Sequence, residues 1–323
     1  EMSLFYYMVF LKLLICTERL WDCFQIIIIN KVLFINKRNN KKFIIIFVGS
    51  TLLLTFILFY SQIKPNIFNL SNNKIGILGH RGMSKSYHYP GNSMPSILEA
   101  LKRGAIGSEI DVQLAKDGQL IIYHHRFLDK YTNFKGKVSD YTTDELSKCY
   151  YNGDYPKTVH VISVDNLFST LAPDNDYIFS FDCKFNISSD KDTLSFYTEF
   201  IDAIELINNK HRIKNRIFIE ADHVQFHRRL KERTLEVRQF ITGNGFENGI
   251  KIAKELDLFG IGLGSKISKD NISEAHSLGL RVMTWTPTND FLNARAVRKY
   301  PDYIQTGDID HLVKFLGESG LKL

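Results

Sequence analysis

Short β-rich runs alternate with helical stretches from residue 74 onward, and this alternation restricts the fold more than any other feature. Eight runs rich in β-branched and aromatic residues predict strands, and most precede a segment with helical character. The predicted strands are 75–79, 108–114, 177–184, 217–221, 237–242, 259–264, 281–286 and 302–306. The predicted helices include 93–103, 193–208, 248–256 and 271–278. Strands that alternate with helices favour a parallel sheet, because a parallel crossover needs a long connection.

The length of this region favours a closed sheet. Residues 74–323 have the usual size of a (β/α)₈ TIM barrel, about 250 residues, so we predict an α/β fold of this class. A doubly wound open sheet is the alternative, but no G-x-G-x-x-G follows the first predicted strand. A further apolar run, 120–124, follows the turn Lys116-Asp117-Gly118 and predicts an accessory hairpin strand. If the turn centres on Asp117-Gly118, His124 lies opposite Asp111.

The segment before the barrel contains an uncharged apolar run, 43–60, with the sequence FIIIFVGSTLLLTFILFY. At about 1.5 Å per residue, a helix of this length spans most of a hydrocarbon core of roughly 30 Å. Lys37, Arg38, Lys41 and Lys42 precede it, so the positive-inside rule places residues 1–42 in the cytoplasm. We predict a membrane protein with an N-terminal transmembrane helix and its barrel outside; a cleaved signal peptide is the alternative.

The predicted organisation has four parts. Residues 1–42 form a cytoplasmic segment to which we assign no role, 43–60 the anchor, 61–73 a polar linker and 74–323 the barrel. Residues 1–42 carry seven Lys or Arg and three acids, whereas the remaining chain carries 34 cations and 32 acids. The nearly neutral barrel argues against a nucleic-acid-binding face.

Several predicted strands end in residues that suit metal and phosphate chemistry. Glu109 and Asp111, two residues apart on one strand, point to the same face. Two adjacent carboxylates repel each other unless a cation or a proton lies between them, and oxygen ligands suit Ca²⁺ or Mg²⁺. Asp182 and Lys184 repeat this spacing on the third predicted strand. Solvated acids and a structural salt bridge are the alternative explanations.

Histidines lie close to these strand ends. His80-Arg81 ends the first predicted strand, and His124-His125 follows the hairpin strand. Imidazole exchanges protons near neutral pH, and the planar guanidinium of Arg81 suits a phosphate. Each pair alone is compatible with a structural role. Their convergence with three carboxylates predicts an active site.

The order of these motifs resembles that of the glycerophosphodiester phosphodiesterase family, within the PLC-like phosphodiesterase superfamily. The resemblance runs from about residue 75 to 313. The matching segments are His80-Arg81-Gly82, Pro90-Gly91-Asn92-Ser93, residues 104–112, Lys116-Asp117-Gly118, His124-His125, residues 128–136, Asp140-Tyr141-Thr142, Asp182-Cys183-Lys184, Trp285-Thr286 and Thr306-Gly307.

This resemblance implies a (β/α)₈ barrel that hydrolyses glycerophosphodiesters to glycerol 3-phosphate and an alcohol. It also implies one divalent cation, Ca²⁺ or Mg²⁺, and a small-molecule phosphodiester as the substrate. The implied site residues are His80 and His124 as the acid/base pair, Glu109, Asp111 and Asp182 as metal ligands, Arg81 and Lys184 as phosphate-binding residues, and Trp285 in the substrate pocket.

Three positions depart from the family pattern. Gly91 replaces the usual Glu, His125 the usual Asp, and Asp182 the usual Glu. Two alternatives therefore accompany the predicted function: a phospholipase-type phosphodiesterase acting on a membrane lipid, and a barrel that binds phosphodiesters without turning them over.

Overall fold

A computed structural model describes residues 75–83, 88–172, 175–187, 192–233 and 235–318. These residues contain ten strands and nine α-helices. The strands are β1 (Gly76–His80), β2 (Gly107–Leu114), β3 (Leu120–Ile122), β4 (Ile162–Ser163), β5 (Ile178–Cys183), β6 (Ile217–Ala221), β7 (Arg238–Ile241), β8 (Gly260–Gly264), β9 (Arg281–Trp285) and β10 (Tyr303–Thr306). The helices are α1 (Met94–Lys102), α2 (Thr143–Leu146), α3 (Val164–Thr170), α4 (Thr193–His211), α5 (Val224–Glu232), α6 (Phe246–Glu255), α7 (Lys269–Ser277), α8 (Asp290–Val297) and α9 (Ile309–Glu318).

Eight parallel strands close into a barrel, which confirms the predicted fold class. The order around the barrel is β1, β2, β5, β6, β7, β8, β9 and β10, and β10 pairs with β1 again. All eight predicted barrel strands are present, within a few residues at their ends. Serine side chains begin two of the predicted helices: Ser93 accepts from the amide of Ser96, and Ser268 from that of Asn271.

Burial on both faces explains the near-continuous apolar character of the strands. Every residue of β6, IFIEA, is buried, and so is every residue of β2, which carries the more polar sequence GSEIDVQL. Side chains on the outer face of the barrel, such as Phe181 and Ile219, belong to the largest apolar cluster. In the interior, Leu78, Phe218 and Phe240 belong to a smaller cluster. Polar side chains continue the inward rows toward the carboxyl ends of the strands.

The predicted hairpin is present, but the predicted register was wrong by one residue. Leu120 pairs with Leu114, and the amide of Tyr123 donates to the carbonyl of Asp111 at 2.9 Å. Tyr123 rather than His124 therefore lies opposite Asp111. The reason is the loop length: Ala115 bonds to Gln119 around three residues, not two, with Gly118 at φ +76°.

An excursion between β3 and α3 adds a small structural layer. Its core includes Tyr123, Leu128, Cys149 and Tyr151, all buried. His124 and His125 follow Tyr123 at the start of this excursion, so the buried Tyr123 fixes the backbone directly before them.

The predicted transmembrane anchor, 43–60, lies outside the described residues, as do the segment 1–42 and the linker. Among the helices that the structure does describe, none has the length and apolar character to cross a membrane. The anchor remains a prediction.

Candidate active site

Three carboxylates meet at the carboxyl ends of neighbouring strands. Asp111 of β2 pairs in register with Asp182 of β5, and Glu109 precedes Asp111 by one inward position. Carboxylate oxygens of the three residues lie within 4.8 Å of one another. Glu109 and Asp111 are buried. The structure thus brings together the three predicted metal ligands.

Both predicted phosphate-binding cations contact this cluster. Arg81 Nε lies 2.9 Å from Asp111 Oδ2, and Lys184 Nζ lies 3.1 Å from Asp111 Oδ1. Lys184 Nζ also donates to Asp182 Oδ2 at 2.5 Å. Asp111 therefore holds one cation at each of its two carboxylate oxygens.

The electrostatic balance differs among the three acids. Burial raises the pKa of Glu109 well above its usual value, and the charges of Asp111 and Asp182 add to the shift. Burial alone would also raise the pKa of Asp111, but Arg81 and Lys184 lower it. Burial raises the pKa of Asp182, although Lys184 opposes the shift. Glu109 is therefore the acid that most lacks a compensating positive charge.

The two predicted catalytic histidines lie beside the cluster. His80 Nε2 is 3.9 Å from Glu109 Oε2. Burial lowers the pKa of His80 to about 4, with Arg81 adding to the shift and Asp111 opposing it. Burial likewise lowers the pKa of His124 to about 4, against the opposing charge of Asp111. Both imidazoles are therefore neutral at physiological pH and able to accept a proton.

Asn92 has a role that the sequence did not assign, although it lies in a motif quoted for the family. Its Nδ2 donates to Asp111 Oδ2 at 2.7 Å, and its Oδ1 accepts from the Asp111 amide at 3.2 Å. The neighbouring Gly91 leaves room for Arg81, since an added Cβ would lie 2.9 Å from Arg81 Cβ. The usual Glu at position 91 would therefore crowd Arg81, whereas Gly91 leaves Arg81 in its place beside Asp111.

A fourth buried carboxylate, Glu220 of β6, was missed by sequence reasoning. It pairs in register with Asp182 and is 3% exposed. Its Oε1 accepts hydrogen bonds from Ser180 Oγ at 2.6 Å and from Gln305 Nε2. Burial, followed by the charge of Asp182, raises its pKa to about 8. The sequence offered one signal for Glu220: it is an acidic residue near the end of an otherwise apolar predicted strand, 217–221.

Replacement of Glu220 by Gln is expected to change how stability depends on pH. Between pH 4.5, the ordinary pKa, and about 8, the folded chain keeps a proton on Glu220 that the unfolded chain has lost. The free energy of unfolding therefore falls as pH rises through this window, by up to about 1.4 kcal/mol per pH unit. In EDTA-treated protein, Glu220→Gln should reduce this slope, measured by urea unfolding. Parallel curves for the two proteins would contradict the assignment.

Trp285, the predicted pocket residue, lies at the end of β9 over Gly262 of β8. A Cβ at Gly262 would be 2.9 Å from the Trp285 ring and 2.9 Å from Thr242 Cγ2. The same Cβ would be 3.7 Å from Glu220 Oε2. Gly262 therefore leaves free a space between Trp285, Thr242 and Glu220 that any side chain would have to enter.

Substitution of Gly262 by Ala is expected to displace the Trp285 ring. We expect a loss of about 1–3 kcal/mol in the free energy of unfolding from overpacking. We also expect a raised KM for the phosphodiester substrate, because Trp285 is the predicted pocket residue. Gly264→Ala on the same strand is the matched control, because its Cβ would come no nearer than 3.9 Å to the Trp285 carbonyl oxygen. Equal KM values for the two variants would show that the position of Trp285 does not affect substrate binding.

The residues present fit a divalent cation. Glu109 Oε1 is buried and has no hydrogen-bond partner among the described residues. Three oxygen donors within 4.8 Å match the preference of hard cations for carboxylate ligands. Arg81 and Lys184 supply two positive charges, whereas the three carboxylates supply three negative charges when all are ionised. The cluster then has a formal charge of −1 and can accept a cation.

A family model and individual relatives both match this chain to the same family. Residues 80–313 match the model of the glycerophosphoryl diester phosphodiesterase family. The chain is 47% identical over 72 residues to the glycerophosphodiester phosphodiesterase of Bacillus altitudinis. It is 42% identical over 72 residues to that of Caldanaerobacter subterraneus. These matched segments span 22% of this chain and 29% of each relative.

Solved structures share the fold. The Oleispira antarctica phosphodiesterase, in complex with the product sn-glycerol-3-phosphate, gives a TM-score of 0.65 at 16% identity, over 76% of this chain and 97% of that one. The glycerophosphodiester phosphodiesterase of Agrobacterium tumefaciens gives 0.63 at 19% identity, over 74% of this chain and 99% of that one. With the match to the family model extending over most of the sequence, the chain belongs to the glycerophosphoryl diester phosphodiesterase family.

Proposed function

We propose that this chain hydrolyses glycerophosphodiesters, such as glycerophosphocholine or glycerophosphoethanolamine, to glycerol 3-phosphate and an alcohol. One observation carries the proposal: two histidines, three carboxylates and two cations converge at the carboxyl ends of the barrel strands. Active sites of (β/α)₈ enzymes lie at this end of the barrel. The product named for the Oleispira antarctica protein supports the same reaction.

Arg81 and Lys184 would bind the phosphodiester oxygens. Both contact Asp111, which fixes where their charged groups lie. The guanidinium offers a planar set of donors, and the ammonium acts as a compact positive charge. Burial would lower the pKa of Lys184, but Asp111 and Asp182 raise it above its ordinary value, so the side chain stays charged.

Glu109, Asp111 and Asp182 would hold one divalent cation, Ca²⁺ or Mg²⁺, whose charge stabilises negative charge on the phosphoryl oxygens when bound. Asp182 has a shorter side chain than the family's usual Glu. The register of β2 with β5 nevertheless keeps Asp182 beside Asp111.

His80 and His124 would transfer the protons. One neutral imidazole takes the proton of the attacking hydroxyl, and the other, once protonated, gives a proton to the leaving alkoxide oxygen. The negative charge of a bound phosphodiester would favour the protonated form of the donating histidine. Trp285 would line the pocket for the glycerol group.

A panel of substrates, tested on the full chain with Mg²⁺ or Ca²⁺, separates this function from the alternatives. Products of glycerophosphocholine and of lysophosphatidylcholine would be followed by ³¹P NMR. We expect glycerol 3-phosphate from glycerophosphocholine. Turnover of the lysolipid alone would establish the phospholipase-type activity, and binding without products would establish a barrel that has lost turnover.

We also propose that residues 43–60 anchor the chain in a membrane, with residues 1–42 in the cytoplasm and the barrel outside. The uncharged run and the preceding basic residues support this topology. Alkaline carbonate extraction of membranes that contain the full chain tests it. Retention in the pellet is expected, and release of the intact chain into the supernatant would contradict the anchor.

A further inference from the structure

His125 is held by two separate contacts. Its ring stacks on that of Tyr131, with centroids 4.2 Å apart and an interplanar angle of 15°. Its carbonyl oxygen accepts a hydrogen bond from Gln113 Nε2 at 3.0 Å. Gln113 belongs to β2 and is buried. The barrel and the excursion therefore fix both the backbone and the ring of His125.

The Nδ1 atom of the His125 ring faces Nδ1 of His124. The Nδ1 atoms of His124 and His125 are 3.3 Å apart, and the two rings are nearly perpendicular, at 89°. Burial lowers the pKa of both rings. Two neutral imidazoles share one hydrogen bond by having one nitrogen donate and the other accept.

The direction of this bond determines which nitrogen of His124 can exchange protons. If His124 Nδ1 accepts, the free site for a further proton on His124 is Nδ1 itself, and protonation breaks the contact with His125. If His124 Nδ1 donates, the N–H persists in both the neutral and the protonated ring, and Nε2 gains and loses the proton. The second arrangement alone keeps the contact through a catalytic cycle.

We propose that His125 is a positioning residue that accepts a hydrogen bond from His124 Nδ1 and so assigns proton transfer to His124 Nε2. This inference rests on the proposed function, in which His124 is one of the two proton-transferring residues. His125 replaces the carboxylate that the family resemblance led us to expect. The replacement supplies an uncharged acceptor beside a ring that already feels the charges of Arg81, Asp111 and Lys184.

The substitution His125→Phe separates the hydrogen bond from the stacking, because phenylalanine can stack on Tyr131 but has no ring nitrogen. His125→Asn restores a side-chain acceptor. His160→Phe is the matched control: His160 lies in the same excursion, Nδ1 is 2.6 Å from the Ser147 carbonyl oxygen, and its ring contacts Tyr150. All variants would be made in the full chain.

The tautomer of His124 would be measured first, by long-range ¹H–¹⁵N NMR of the ¹⁵N-histidine-labelled chain without substrate. We expect the Nδ1–H form in the wild type and in His160→Phe, and loss of that preference in His125→Phe. An unchanged His124 tautomer in His125→Phe would overturn the proposal. This readout does not depend on turnover, so it remains decisive if the proposed hydrolysis fails.

Kinetics of glycerophosphocholine hydrolysis provide the second readout. We expect His125→Phe to lower kcat by about 10–100-fold, the range for partners that orient a metal-bound imidazole, with KM within about twofold. His125→Asn should recover most of kcat. A raised KM with unchanged kcat would contradict positioning of His124 and indicate direct contact with substrate. No turnover by the wild type would count against the proposed function, not against the tautomer assignment.

Discussion

The substitution Asp111→Asn is expected to lower kcat for glycerophosphodiester hydrolysis by about 10³-fold, the upper range for loss of one transition-state-stabilising group. Asp111 contacts Arg81 and Lys184 and lies within the carboxylate cluster. The variant should therefore weaken the proposed cation site and release both proposed phosphate-binding residues at once. The amide keeps the size of the side chain and one acceptor oxygen.

Two measurements separate this loss from unfolding. Thermal unfolding should show a folded variant, because the amide occupies the same space. Isothermal titration with Ca²⁺ or Mg²⁺ should show weaker binding than in the wild type. Asp165→Asn is the control, since Asp165 also contacts two basic side chains, Lys210 and His211, outside the site. Full activity and unchanged cation affinity in Asp111→Asn would exclude Asp111 as a ligand.

Single substitutions His80→Ala and His124→Ala are expected to lower kcat by about 10²–10⁴-fold each, the usual contribution of general acid–base catalysis. The double variant should lose much less than the product of the two factors, because residues that act in one step are not additive. A p-nitrophenyl leaving group needs no proton. Activity toward such a diester should therefore recover in the variant that lacks the proton donor, which identifies the acid.

A histidine at the other end of the barrel supplies the comparison. His276 pairs with Asp302 at 2.8 Å, next to the start of β10, so His276→Ala should leave kcat unchanged. If His80→Ala and His124→Ala both stayed within about threefold of the wild type, neither residue would be a proton-transferring group.

The barrel could be predicted from the sequence because its strands carry a strong local signal. Strands buried on both faces, such as IFIEA in β6, appear as short apolar runs, and every barrel strand except β2 is followed directly by a helix. The carboxylates of the proposed metal site could also be predicted, since i and i+2 spacing on a strand fixes a shared face. Their proximity across strands followed from the order of the strands in the barrel.

Features that depend on register between strands could not be predicted in the same way. A two-residue and a three-residue loop are both compatible with Lys116-Asp117-Gly118, and they differ by one residue in the pairing of β2 with β3. Glu220 is a single acid in its strand, so no spacing marks it. Only the pairing of β6 with β5 places Glu220 beside Asp182, as a fourth buried carboxylate next to the cluster. Asn92 likewise reaches Asp111 through the fold.

Hydrolysis of glycerophosphoethanolamine by the purified full chain tests the central proposal most directly. Products would be quantified with Mg²⁺ or Ca²⁺, with EDTA, and with the His80→Ala, His124→Ala double variant as the blank. We expect glycerol 3-phosphate and ethanolamine in equal amounts, lost with EDTA and in the blank. Phosphoethanolamine with free glycerol, or no product from a folded chain that binds the diester, would contradict it.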